Sequence, residues 1–134
     1  MKIEVSNGEL IDKITILEIK LAVIEDEAKL KNIQKEYDIL NPLVEKLFSE
    51  YDSDLQNHYL ELAKINGGLW DIEDSLRECE RKKDFGSDFV ELARCVYITN
   101  DQRSEVKKLI NIMTSSELVE EKSYKEYLSN ESES

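Results

Sequence analysis

Few residues in this chain could carry chemistry, and their spacing limits what it would be. Carboxylates recur three positions apart at Glu9/Asp12, Asp71/Asp74 and Asp88/Glu91. On a helix such partners share a face. Two pairs on facing helices could hold Mg²⁺, which takes carboxylate oxygens and keeps waters for a substrate's phosphates. All-α nucleotide pyrophosphohydrolases work in that way. Against this, a chain with 30 acidic residues produces such pairs by chance. The single histidine, His58, rules out a His-rich zinc site and argues against a His-based triad. There is no phosphate-cradling glycine loop, no Cys-x-x-Cys pair and no His-Glu-x-x-His motif. Cys79 as a nucleophile would need an activating neighbour, and the charges around it are mixed. A helical chorismate-mutase chemistry would need cations to hold a dicarboxylate. The arginines are only Arg77, Arg81, Arg94 and Arg103, none of them near the N-terminal end.

More informative are polar residues inside or beside apolar stripes. These are Lys13 and Glu18 early on, Asp71 and Glu73 beside Trp70, and Asn100, Asp101 and Arg103 late in the chain. Arg94 lies about two turns before Arg103 and is expected to face the same acidic groups. A buried charge is costly unless paired. Lys13, Glu18, Trp70, Asp71, Arg94, Asn100, Asp101 and Arg103 therefore form either a salt-bridge network that fixes helix register or a small polar pocket with Trp70 as one wall. No residue is assigned a catalytic role, and no metal or cofactor is predicted.

The elements that must position these groups are helices. Ser6 followed by Glu9 is a capping box, with Val5 and Leu10 as its hydrophobic staple. Leu10, Ile14, Leu17, Leu21, Ile24 and Ala28 then step at helical spacing, and a second stripe carries the pattern on to Leu40. The periodicity predicts one helix from about Asn7 to Leu40, ended by Asn41-Pro42. A second apolar phase runs from Val44 to Cys79, and one long element from about Pro42 to Lys83 is expected. Its weak points are Asp52-Ser53-Asp54 and Asn66-Gly67-Gly68. The two glycines mark a kink, a close helix contact or backbone left open for a ligand. Gly86 is suited to end that element and Ser87 to cap the next. The last helix either breaks at Thr99-Asn100-Asp101 or takes Thr99 and Arg103 into its core. Lys2-Ile3-Glu4-Val5 reads as a short extended lead-in that needs a partner, either the segment around Leu118-Val119 or another subunit. The expected fold is all-α: an elongated up-down bundle of about three long helices, or five if they split. It forms a single domain over residues 1–128, with a disordered tail over 129–134.

Composition agrees with that class. The chain has 134 residues, 36% of them charged, with four Gly and one Pro. This length supports a real core without metal or disulfide staples. A net charge of −12 argues against a basic nucleic-acid face and against anionic lipid. The two cysteines, Cys79 and Cys95, occupy apolar helical positions and read as a reduced, cytoplasmic pair. No signal peptide or membrane span is expected.

The segment Lys2-Ile3-Glu4-Val5-Ser6-Asn7-Gly8-Glu9-Leu10-Ile11-Asp12-Lys13-Ile14-Thr15-Ile16-Leu17-Glu18-Ile19-Lys20 resembles the start of an uncharacterised family of small bacterial and phage helical proteins, labelled only as a domain of unknown function. Leu69 to Asp74, Glu91 to Arg94, Val96-Tyr97, Asn100-Asp101 with Arg103, and Val119 to Tyr124 extend the likeness over nearly the whole chain. The resemblance implies one complete domain and that Asn7, Lys13, Glu18, Trp70, Asp71, Asn100, Asp101 and Arg103 belong to the family pattern. It implies no activity. The residues point to an acidic, non-enzymatic interaction or accessory protein that docks a protein partner through a helix face, with lateral surface for a homodimer. An Mg-dependent enzyme acting on a nucleotide or other phosphorylated small molecule is the first alternative. A phage-type inhibitor mimicking nucleic-acid charge is the second.

Overall fold

A helix leaves its first four N–H groups without internal partners, and the start of this chain answers three of them, those of Asn7, Gly8 and Glu9, before the first regular helical bond at Leu10. In the computed structural model, which describes residues 1–128 apart from the Asp52 side chain, α1 runs Asn7–Val23. Asn7 N–H donates to Ser116 Oγ, Gly8 N–H to Asn111 Oδ1 at 2.6 Å, Glu9 N–H to Ser6 Oγ and Leu10 N–H to the Ser6 carbonyl. The cap at Ser6 is as predicted. The reciprocal half of the box is not, because Glu9 reaches Lys107 at 2.7 Å and Ser6 Oγ donates to Glu120. Two of these three acceptors, Asn111 and Ser116, come from beyond residue 110, so the N-terminus of α1 is docked by hydrogen bonds on the far end of the chain.

Two further helices follow, α2 over Glu27–Lys82 and α3 over Ser87–Met113, and no strand occurs among the described residues. The fold is all-helical. The first boundary differs from the sequence expectation. α1 ends at Val23 rather than Leu40, where Ile24 turns extended with ψ at 132°. Asp26 caps α2 by accepting the Lys29 N–H at 3.0 Å. Ile24 and Ala28 keep the apolar phase across this short turn, so periodicity alone could not see it. Asn41-Pro42, expected to end a helix, lies inside α2. Pro42 is exposed, so water can reach the carbonyl four residues earlier that loses its amide partner. The Asn41 side chain donates to Glu45 instead of capping.

Helical structure continues through both weak points of α2 and through Thr99-Asn100-Asp101 in α3. Yet α2 is not straight. The rings of Phe48 and Tyr59 meet edge to face at 5.5 Å. Eleven residues of straight helix would hold them about 16 Å apart. α2 therefore bends sharply between them, around Asp52-Ser53-Asp54, into arms of residues 27–51 and 53–82. Both arms reach α1: Glu36 of the first pairs with Lys13, and Asn66 of the second bonds Asp12. The turn to α3 also differs in detail. Lys83, not Gly86, takes the left-handed position at φ 55°, and Gly86 rather than Ser87 is the N-cap.

The core joins Leu10, Ile11, Ile14 and Leu17 of α1 to Val44, Leu55 and Leu62 of α2 and Val106 and Ile110 of α3. Each such side chain contributes roughly 1.5–3 kcal/mol on burial. The lead-in Lys2–Val5 pairs with no strand, and Ile3 is largely exposed. The segment after α3 returns to it through side chains rather than a ladder: Lys107 and Lys108 pair with Glu120 and Glu121 at 3.7 and 3.2 Å. No helix among the described residues is long and apolar enough to cross a membrane. The expected tail, 129–134, lies outside the described residues.

Candidate functional site

All three helices meet at one buried carboxylate. Asp12 of α1 is 1% exposed. Arg103 of α3 grips it with two parallel bonds, Nε to Oδ1 at 2.8 Å and Nη2 to Oδ2 at 2.5 Å. Asn66 of α2 donates to the same Oδ1 at 2.9 Å and to Thr15 Oγ1 at 2.8 Å. Thr15 in turn donates to the Asp12 carbonyl. A forked guanidinium–carboxylate pair has defined geometry as well as energy. Hydrogen bonding to Asp12 raises the Arg103 pKa above its ordinary value, so the guanidinium stays charged. A buried charge so completely partnered fixes how α1, α2 and α3 sit on one another.

Of the sequence-predicted residues, the structure brings Arg103, Asn100 and Trp70 together. Asn100 Oδ1 accepts a long bond from Arg103 Nη1 at 3.4 Å. Trp70 and Arg103 line one cleft of about 340 Å³, together with Ile16, Ile19 and Leu69. The remaining candidates lie elsewhere. Lys13 is about half exposed and pairs with Glu36 at 3.1 Å. Arg94 is exposed and pairs with Glu91 at 3.3 Å, so it does not face the acidic groups of Arg103. Asp71 is exposed, with no polar side-chain partner among the described residues. Asp101 faces the segment after α3, lining a cavity of about 630 Å³ with Tyr97, Lys122 and Tyr127.

Glu18 forms a second, separate centre. Tyr59 O–H lies 2.5 and 2.6 Å from its two carboxylate oxygens. Burial, then the Glu18 hydrogen bond and charge, push the Tyr59 pKa well above its ordinary value of 10. Native Tyr59 thus ionises at higher pH than unfolded Tyr59. Its contribution is complete below pH 10 and is lost as pH climbs through the native pKa. We expect Tyr59→Phe to cost about 1–2 kcal/mol at neutral pH. The gap to the wild type should narrow above pH 10. Urea melts of both proteins across that range test this, and a gap that widens with pH would contradict it.

Sequence reasoning missed Asp12, Thr15, Asn66 and Tyr59 as members of these centres. Asn66 continues the phase of Leu62 and Leu69, and Asp12 that of Gly8 and Thr15, so a polar residue at core phase was the available signal. The carboxylate pair Glu9/Asp12 is not free for a metal: Asp12 is held by Arg103 and Asn66, and Glu9 by Lys107. Among the described residues, no three His, Cys, Asp or Glu side chains are grouped to hold one.

No curated protein and no solved structure matches the chain. A family model, described as a family of unknown function (DUF6165), matches residues 1–134, and the protein belongs to that family.

Proposed function

We propose that this protein is a non-enzymatic, cytoplasmic accessory protein that docks a basic protein partner through an exposed helix face. The observation that carries this reading is the ridge formed by Ile39 and Leu43. They stand one turn apart on the first arm of α2 and are 62% and 51% exposed. Apolar side chains that project together from a helix are the anchors of helix-face docking. The net charge of −12 would steer a basic partner towards the surface before the apolar contact forms. The interior supports the same reading, since Asp12, Arg103 and Glu18 have internal partners. The magnesium-dependent alternative loses Glu9/Asp12 for the same reason.

Affinity capture of the tagged full chain from host lysate at low and high salt tests the proposal. One dominant basic protein should be captured by the wild type, bind faster at low salt, survive high salt and be lost with the double substitution Ile39→Glu, Leu43→Glu. Capture that is unchanged by the double substitution, or abolished by salt alone, would overturn it. Sedimentation velocity on the same two proteins tests a homodimer through this ridge: a dimer mass in the wild type that the substitution removes supports self-association, and a monomer at all concentrations rejects it.

A further inference from the structure

Beyond that docking ridge, the cleft beside Trp70 has an unusual charge arrangement. Its floor is apolar, formed by Ile16, Ile19 and Leu69, and the half-buried Trp70 indole is one wall. Two cations, Arg77 and Arg103, two carboxylates, Glu73 and Asp74, and the Asn66 amide complete the lining. Glu73 and Asp74 precede Arg77 by four and three residues, a spacing at which helix ion pairs form readily. Further along the same arm, Glu78 does pair in this way with Arg81 and Lys82. At the cleft, however, none of Glu73, Asp74 and Arg77 has an ion-pair partner within 4 Å among the described residues. Arg103 is clamped through Nε and Nη2 by Asp12, and its Nη1 makes only the 3.4 Å contact with Asn100. A cation immobilised in this way loses little freedom when it meets a ligand.

We propose that this cleft binds a small zwitterion with an apolar or aromatic body: a free amino acid of the leucine or phenylalanine kind. The side chain would lie on Trp70 and the isoleucines, the carboxylate against Arg77 and Arg103, and the ammonium against Glu73 and Asp74. Glu73 and Asp74 would repel a plain anion, and a plain cation would leave Arg77 and Nη1 of Arg103 without an anionic partner. Only a ligand carrying both charges uses the whole lining. The volume of about 340 Å³ is at the lower end for small-molecule sites and suits a ligand of this size.

Trp70 is the only tryptophan in the chain, so its emission reports the cleft directly. The full-length protein is titrated with phenylalanine and with leucine, exciting the indole selectively. Phenylalanine methyl ester removes the ligand's negative charge, and N-acetylphenylalanine removes its positive charge. A saturable change is expected for both amino acids in the millimolar range, at least about ten-fold weaker for both derivatives. Arg77→Ala, an exposed position, should leave the melting temperature unchanged and weaken binding of the amino acids by about ten-fold. No saturable change with either amino acid, equal binding of the derivatives, or an Arg77→Ala protein that binds like the wild type would overturn the proposal. The ridge at Ile39 and Leu43 is not part of this cleft, so failure of one reading leaves the other standing.

Discussion

Arg103→Ala should lower the unfolding free energy by about 3 kcal/mol, the low end of the 3–5 kcal/mol expected for removing one partner of a buried ion pair. The low end applies because the Arg103 side chain is 29% exposed while that of Asp12 is 1% exposed. Alanine leaves the Asp12 carboxylate with Asn66 as its only side-chain donor, in a position water reaches poorly. Arg103→Lys should recover less than half of the loss, since an ammonium keeps the charge but cannot make both parallel bonds. Adding Asp12→Asn to Arg103→Ala should restore part of the stability by removing the orphaned charge, and the double-mutant cycle then measures the coupling. Urea midpoints of the wild type, Arg103→Ala, Arg103→Lys, Asp12→Asn and the double variant check this. A loss below about 1 kcal/mol for Arg103→Ala would mean that the pair behaves like a surface salt bridge.

Gly8→Ala is the second large effect, and its sign is the reverse of what helix propensity predicts. In an open helix, alanine is better than glycine by about 1 kcal/mol. At Gly8 an added Cβ would lie inside van der Waals contact of the Lys107 carbonyl oxygen and 3.0 Å from Asn111 Oδ1. The nearest obstacle is backbone, so α1 must shift away from α3 and stretch the Gly8 N–H bond to Asn111. We expect a loss of about 2–3 kcal/mol, in the range of overpacked cores. Gly68→Ala is the matched control. Nothing lies within 4 Å of its Cβ position, so the same substitution should gain up to about 1 kcal/mol. Thermal unfolding of both variants decides the matter. Equal stabilisation at the two sites would show that α1 and α3 are not in such close contact.

The same contrast shows which features of this protein could be read along the chain. The Ser6 cap, the helical class and most of the core stripe depend on residues within a turn or two of one another. Periodicity and capping chemistry report such neighbours. The turn at Ile24 to Asp26 was hidden because the apolar phase continues across it, and Asn41-Pro42 misled because an exposed proline is tolerated inside a helix that packs on its other side. Among the site candidates, Arg103, Asn100 and Trp70 do converge. Lys13 and Arg94 do not, because a long charged side chain beside an apolar stripe can reach a neighbour on the helix surface as easily as the core.

What the sequence determined by itself was the helical class, the start of α1, the acidic surface and the presence of polar residues at apolar phases. Only the tertiary structure decided their partners. Asp12 meets Asn66 and Arg103 across 54 and 91 residues. Gly8 meets Lys107 and Asn111 because α1 crosses α3 closely there, and Glu18 meets Tyr59 because α2 bends after Phe48. Spacing along a helix says which side chains share a face. Which face lies opposite depends on where the chain turns, and those turns are set by the sum of many packing contacts rather than by a local signal.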